Sequence, residues 1–420
     1  MDIRADILHT FDWSRTFHAY GPGTDAPENL AGLRSEDADE RVSALGYLYS
    51  AILHQGTVYP ATPPVVLYAA ALLSGPEADR PVRGLFGEAT GSASVPLGRH
   101  LLHFLAAVAR AVAESTGNAT TAELDALADP GDRKDEIDAL LDRIADGGED
   151  VDEEVWEDPL LDTLCNAVLR DLRRAAPALL DAVRPLLTHR DSGVRRQAVT
   201  TAGALSRLGG GLALDLSGAA DCAENRDEGA AIVLALVESG GDTTEFLTHA
   251  DPAIRACAAL SPALAGDPAA TAELRTALTH PATADSWFDD RPGYFDGHVR
   301  FALVSALVER SGPGDAADLL PVFQALAAVS SAFTAERDLE GLLRLALGLT
   351  AVDAAAPLER PTPLQSAYLR VLAGSDGLWD AEVANFTVLL KRLGLPQDRG
   401  GLRLPAGHAP NRPLGRHRDR

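Results

Sequence analysis

The chain has 420 residues and a formal net charge of −24 at pH 7. An acidic chain repels phosphate groups, which argues against nucleic acid and anionic membranes as partners. No apolar run reaches the roughly 18 residues needed to span a bilayer, and residues 1–6 lack the basic and apolar regions of a signal peptide. We therefore expect a cytoplasmic protein without a membrane partner.

The hydrophobic content is 46%, with only 5% aromatic residues. Cores built from Ala, Leu and Val favour helices over strands, so the predicted fold class is all-α. Cys165, Cys222 and Cys257 are widely separated and predict neither a disulfide framework nor a zinc site.

The N-terminal part, residues 1–96, predicts divergent capping repeats. A first helix is expected after Ser35 or Asp37, either of which can cap it, and its apolar residues recur at spacings of three and four. A proline-containing turn then leads to a second helix near Val65. Residues 97–158 predict a helical segment that ends in an acidic loop, interrupted by Trp156.

A repeated phrase marks the central part of the chain. Leu-Thr-His occurs at 187–189, 247–249 and 278–280, and a decayed copy lies at 216–218, so the steps are 29, 31 and 31 residues. Such a period indicates stacked helical hairpins, and the predicted architecture is an α-solenoid. We expect a regular array over 159–352, capping helices over 353–395 and a disordered basic tail over 396–420.

In two of the copies an aspartate is followed by an apolar residue and an arginine, as in Asp191 with Arg195 and Asp251 with Arg255. These segments, 191–198 and 251–258, resemble HEAT-like repeats, with a period near that of the short units of the phycobilin-lyase type. Residues 54–62 resemble a segment found in a group of uncharacterised bacterial HEAT-repeat proteins. The resemblance implies that these aspartates and arginines link neighbouring repeats, and it implies a shape rather than an activity.

The histidines of the array, His189, His249 and His280, are expected to contact the last carbonyls of the preceding helices. His100 and His103 lie three residues apart, which is at most half of a metal site. No phosphate-binding loop or nucleophile elbow is present, so no catalytic residue, metal or cofactor is predicted.

Aromatic residues in loops with acidic neighbours are typical of protein interfaces, where the rings supply affinity and the charges steer a basic partner. Two alternatives stay open: the rings of the 286–295 insert can fold back onto the helices, and His54 and Tyr59 can tie their turn to the first repeats. The residues predicted to contact a partner are Trp156, Trp287, Phe288, Asp289, Asp290, Tyr294, Phe295, His54 and Tyr59.

The predicted function is a non-catalytic scaffold that binds a basic protein through its concave face and aromatic loops. The alternative is a HEAT-like DNA glycosylase or another nucleic-acid enzyme, which needs a basic groove. The two differ in whether Arg195, Arg196, Arg255 and Arg300 are unpaired or form ion pairs with carboxylates.

Overall fold

The computed structural model describes residues 3–83, 94–117, 119–147, 153–349, 358, 360–380 and 382–403. Over this part the chain is mostly helical, as the sequence predicts. It divides into two compact units, Met1–Asp242 and Thr243–Arg420, and the division falls inside the predicted array 159–352. None of the described helices is long and apolar enough to cross a bilayer.

Unit 1 contains helices and two short antiparallel hairpins. The strands are β1 (Phe17–His18) with β2 (Gly21–Pro22), and β3 (Pro81–Val82) with β4 (Val95–Pro96). The α-helices are α1 (Ile3–Thr10), α2 (Ala26–Ala31), α3 (Ala38–Tyr47), α4 (Thr62–Leu72), α5 (Leu97–Thr116), α6 (Thr121–Leu127), α7 (Lys134–Gly147), α8 (Glu153–Trp156), α9 (Leu160–Val183), α10 (Ser192–Leu208), α11 (Ser217–Asp221) and α12 (Arg226–Ser239).

Helix α10 lies at the centre of unit 1 and packs against α5, α9 and α12. It can be buried on several sides because most of its buried residues are small. At Gly203 an added Cβ atom would lie 2.7 Å from the Cα atom of Ala235, so only glycine permits this approach of α10 to α12. Small residues at such crossings let helix backbones come close together.

Unit 2 is built from helices that pack against helices close to them in the chain. Four of them begin with proline, whose missing N–H costs nothing in the first turn of a helix. The helices are α13 (Pro252–Ala259), α14 (Pro268–Leu278), α15 (Pro281–Asp285), α16 (Val299–Glu309), α17 (Ala316–Val329), α18 (Ala335–Leu347), α19 (Pro363–Gly374), α20 (Asn385–Arg392) and α21 (Arg399–Arg403).

The start of the predicted disordered tail, 396–420, is ordered in the structure. Residues 399–403 form α21, which packs against α19. The reason is apolar burial, since Leu402 is only 2% exposed. Residues 404–420 lie outside the described part of the chain, as do 148–152 of the predicted acidic loop and most of 350–359 between the predicted array and its capping helices.

The turn before α10 is held by three side chains of the repeated motif. The Asp191 carboxylate caps the helix by accepting a hydrogen bond from the N–H of Val194 at 2.9 Å. The ring Nδ1 of His189 accepts one from the N–H of Asp191 at 3.1 Å. Arg195 donates from Nη1 to the His189 carbonyl at 2.7 Å, which closes the turn. The predicted contact of this histidine ring with helix carbonyls is wrong, because its Nδ1 accepts from the Asp191 N–H and its Nε2 lies 3.9 Å from Asp79 Oδ1.

The same turn occurs before α13 and before α3. His249 Nδ1 accepts from the N–H of Asp251 at 3.0 Å, and Arg255 donates to the His249 carbonyl at 2.8 Å. Before α3, Ser35 replaces the histidine: its Oγ accepts from the N–H of Asp37 at 3.0 Å, and Arg41 donates to the Ser35 carbonyl at 2.8 Å. His280 departs from the pattern and lies 3.1 Å from the Thr279 hydroxyl.

Each turn arginine also contacts a later element of the chain. Arg195 forms an ion pair with Glu228 of α12, and the two side chains are 9% and 4% exposed. Arg255 pairs with Glu273 of α14 at 2.9 Å, where both side chains are about a quarter exposed. Arg41 donates to the carbonyl of Pro81 at 2.7 Å. A single side chain thus closes its own turn and joins it to a neighbour.

We expect Arg195→Ala to destabilise the protein by about 3–5 kcal/mol, because removing one partner leaves Glu228 as an uncompensated buried charge. Arg190→Ala, in the same turn, is the control: this side chain is 85% exposed, so its loss should cost less than about 0.5 kcal/mol. Urea denaturation followed by circular dichroism measures both. Equal unfolding midpoints for the two variants would contradict the role given to this pair.

Candidate partner-binding site

Three of the predicted contact residues meet in unit 1. The ring of Phe17 is 2% exposed and makes edge-to-face contacts with Trp156 at 5.5 Å and with Tyr59 at 6.4 Å, measured between ring centroids. The ring of Tyr20 contacts His54 at 5.4 Å, and its hydroxyl lies 3.4 Å from His54 Nδ1. We call Tyr20, His54, Tyr59 and Trp156 the aromatic patch.

The patch rests on a small apolar core of its own. Phe17 packs with Ile137, Leu140 and other residues of α7, and with Val155 of α8. Two backbone hydrogen bonds hold the β1–β2 hairpin to the rest of the unit: Ala61 N–H donates to the Phe17 carbonyl, and Ala19 N–H donates to the Ala51 carbonyl, both at 3.1 Å. The support of the patch is therefore fixed by segments far apart in the sequence.

Two rings of the patch face solvent. Tyr20 is 58% exposed and Trp156 is 37% exposed, while Tyr59 and His54 are half-buried. Burial raises the pKa of the Tyr59 hydroxyl, with the Thr57 hydrogen bond acting against it, so the group is a neutral donor at physiological pH. Large amphipathic rings of this kind supply contact area at low conformational cost.

The turn at His54 has an unusual backbone. Gln55 has φ 50° and ψ 31°. Among the described residues other than glycine, it alone has a positive φ. Left-handed backbone at a non-glycine residue is strained and occurs often at functional sites. His54 Nδ1 lies 2.9 Å from the Ser50 carbonyl, so the turn is tied back to the preceding helical residues.

A network beneath the patch positions Tyr20. His18, 4% exposed, contacts Asp25 Oδ1 through Nε2 at 2.9 Å, and its Nδ1 accepts from the N–H of Tyr20 at 3.2 Å. The Tyr47 hydroxyl donates to the same oxygen of Asp25 at 3.0 Å. Both ring nitrogens of His18 make hydrogen bonds, so this histidine orients Asp25 and the backbone of Tyr20.

The charge of Asp25 belongs to this network. Burial acts to raise the pKa of this carboxyl, but the hydrogen bond and charge of His18 and the Tyr47 hydroxyl outweigh it, and the pKa is lowered. A lowered folded-state pKa means that the ionised form stabilises the fold above the ordinary carboxyl pKa, and that this contribution is lost as pH falls through the folded value. The sequence analysis did not predict this network. The only pattern in the sequence that points to it is the spacing of two residues between His18 and Tyr20.

The predicted residues of the 286–295 insert lie in unit 2 and pack mainly on each other. Trp287 is 9% exposed and Phe295 is 4% exposed. Phe288 stacks on Phe295 at 5.9 Å, and Tyr294 meets Phe295 edge to face at 5.3 Å. Two of the four rings are therefore buried, and the role of the insert as a partner contact stays a prediction. Of the two acidic residues of the insert, Asp289 is exposed and Asp290 is half-buried.

His100 and His103 do not face a common ligand. The Nδ1 atom of His103 lies 2.6 Å from the Tyr49 hydroxyl. Burial lowers the pKa of His100 to about 4, aided by the charges of Arg99 and His103, so it is neutral at physiological pH. Within the described ranges, no group of three or more His, Cys, Asp or Glu side chains is arranged to hold a metal ion.

We expect Trp287→Ala to destabilise unit 2 by about 3 kcal/mol or more, because it leaves a cavity where a large ring was buried. Phe333→Ala removes a ring that is 69% exposed in the same unit and should change stability by less than about 0.5 kcal/mol. Guanidinium denaturation of both variants makes the comparison. If Trp287→Ala unfolds at the wild-type midpoint, the ring is not part of the core.

The chain was compared with family models, curated proteins and solved structures, and none of them matches it. Its resemblance to HEAT-like repeats therefore rests on the turn residues themselves, above all the Asp191 and Asp251 caps with their arginines.

Proposed function

We propose that the protein is a non-catalytic scaffold of the HEAT-repeat type that binds a basic protein through the aromatic patch. The observation that carries the proposal is that His54, Tyr59 and Trp156 all pack on rings of the β1–β2 hairpin, residues 17–22. Of the rings in this group, Tyr20 and Trp156 are exposed. Residues far apart in sequence supply these rings, and His18 hydrogen-bonds to the backbone of Tyr20 among them.

The partner is proposed to be basic because the helix that packs with Phe17 exposes carboxylates. Helix α7, which packs with Phe17, exposes Asp135, Glu136 and Asp142. Of these, Glu136 pairs with Arg133 at 3.0 Å and Asp142 with Arg15 at 2.5 Å. Glu157, next to Trp156, is also exposed. Acidic groups around an aromatic centre accelerate the association of a basic partner, whereas the rings slow its dissociation.

The repeat architecture is part of the same proposal. Three turns share one set of capping and cross-linking bonds, and each helix of unit 2 packs against helices close to it in the chain. Both features support an α-solenoid, whose concave face and insert loop provide additional surface for the partner.

The pairing of the arginines favours a scaffold over a DNA glycosylase or other nucleic-acid enzyme. Arg195 pairs with Glu228, Arg255 with Glu273, and Arg300 with Asp338 at 2.7 Å. Arg196 lies 3.9 Å from Asp227. A groove for nucleic acid needs cations that are free to neutralise phosphates, and these four have carboxylate neighbours.

We expect the double variant Tyr20→Ala, Trp156→Ala to weaken partner binding more than tenfold, or by about 1.4 kcal/mol or more, without unfolding the chain. The partner is isolated on the immobilised wild-type chain, and its binding kinetics are then measured at two salt concentrations. Phe333→Ala, which removes another exposed ring, is the matched control and should bind as the wild type does.

Neutralising Asp135 and Glu136 should slow association and reduce its salt dependence, with dissociation unchanged. If the Tyr20→Ala, Trp156→Ala double variant binds like the wild type, the patch is not the contact surface. If the folded variant Phe288→Ala loses binding in that case, the contact surface is the 286–295 insert instead.

A further inference from the structure

A cavity of about 400 Å³ lies in unit 1 and has no part in the proposed contact surface. It opens where the C-terminal ends of α5 and α10 face the middle of α9. Its size falls within the range of roughly 300–1,000 Å³ that is typical of small-molecule sites.

Two arginines line this cavity, and neither has a carboxylate partner in the described part of the chain. Arg173 of α9 donates from Nη1 to the Ala119 carbonyl at 2.5 Å, and its Nη2 lies beside Gly210. Arg207 of α10 is exposed, and its side chain makes no hydrogen bond or ion pair with any described residue. Other arginines of this unit do pair, as Arg110 does with Glu238 at 2.8 Å and Arg174 with Asp125 at 2.6 Å.

The lack of a carboxylate partner at both arginines is notable because acidic side chains are in excess. The chain has 61 Asp and Glu against 37 Lys and Arg, so carboxylate partners are plentiful. Arg207 lies in the last turn of α10, where a cation is stabilised by the helix dipole. That effect does not explain Arg173, which lies mid-helix in α9 and lines the same cavity.

The other polar groups of the lining are already engaged. Thr116 donates its hydroxyl proton to the Val112 carbonyl at 2.8 Å. The N–H groups of Gly117 and Gly210 donate to the carbonyls of Ala113 and Arg207, both at 3.0 Å. The donors left for a ligand are therefore those of the guanidinium groups, whose planar geometry matches carboxylate and phosphate oxygens.

Glycines keep the cavity open. Gly117 has φ 49° and ψ −123°, a backbone conformation that residues with side chains avoid, and a Cβ added there would meet nothing within 4 Å. Gly210, with φ 80°, would place a Cβ only against Arg173. Glycine at such positions allows close approach of a ligand to the backbone. Ala113 and Leu208 add an apolar part to the wall.

We propose that this cavity binds a small organic anion whose carboxylate or phosphate group pairs with Arg173 and Arg207 and whose apolar part contacts Ala113 and Leu208. Both carboxylate and phosphate oxygens match the geometry of a guanidinium group. Two probes that carry the same ring but different anionic groups show which of the two the cavity prefers. Phenyl phosphate and phenylacetate serve this purpose, and inorganic phosphate tests the contribution of the apolar part.

Isothermal titration of the full chain with each probe tests the proposal. We expect the wild type to bind phenyl phosphate or phenylacetate at one site with a Kd below about 1 mM, and inorganic phosphate more weakly. Arg207→Gln should weaken this binding at least tenfold. Because Arg207 is exposed, this variant should keep the wild-type circular dichroism spectrum.

Arg173→Gln should weaken binding in the same way. Arg184→Gln is the matched control, since its exposed side chain pairs only with Asp181 at 3.5 Å, and it should bind as the wild type does. Absence of binding tighter than about 1 mM for both ring-bearing probes would overturn the proposal. Binding that survives in both Arg173→Gln and Arg207→Gln, or that is lost equally in Arg184→Gln, would also overturn it.

Discussion

The turn arginine is the interaction on which the repeated structure depends. In the clearest case, Arg195 closes its own turn on the His189 carbonyl and reaches the buried carboxylate of Glu228 on another helix. A buried guanidinium loses its hydration, and here the hydrogen bond to the turn and the paired charge compensate for that loss. The Nε atom of Arg195 is buried without a hydrogen-bond partner among the described residues. One side chain consequently couples the geometry of the turn before α10 to the position of α12.

This use of arginine shapes the surface of the protein. Because Arg195, Arg255 and Arg300 are engaged in ion pairs, many acidic groups remain at the surface without a basic neighbour. These acidic groups attract a basic partner and repel phosphate backbones. Arg173 and Arg207 depart from this pattern at the cavity between α5, α9 and α10, which is why an anionic ligand is proposed there and not elsewhere.

Exposed rings and buried rings have different roles in the two units. Tyr20 and Trp156 keep a large part of their surface in solvent while Phe17 and α7 hold them from below. In the 286–295 insert, Trp287 and Phe295 are buried, so their loss should affect stability before it affects binding. The strained backbone of Gln55 lies at the patch, beside His54.

Periodicity and composition determined the helical class, the aspartate turns at 191 and 251 and the position of the first helix after Asp37, because capping and helical spacing depend on residues a few positions apart. The third turn, at Ser35, was hidden from the Leu-Thr-His pattern because a serine oxygen does there what a histidine nitrogen does elsewhere. Only the tertiary structure brought Trp156 to Phe17 and Tyr59, buried two rings of the insert and placed Arg173 beside Arg207. These contacts join residues tens to more than a hundred positions apart, and which faces meet depends on the packing of whole helices, which no local pattern of residues specifies.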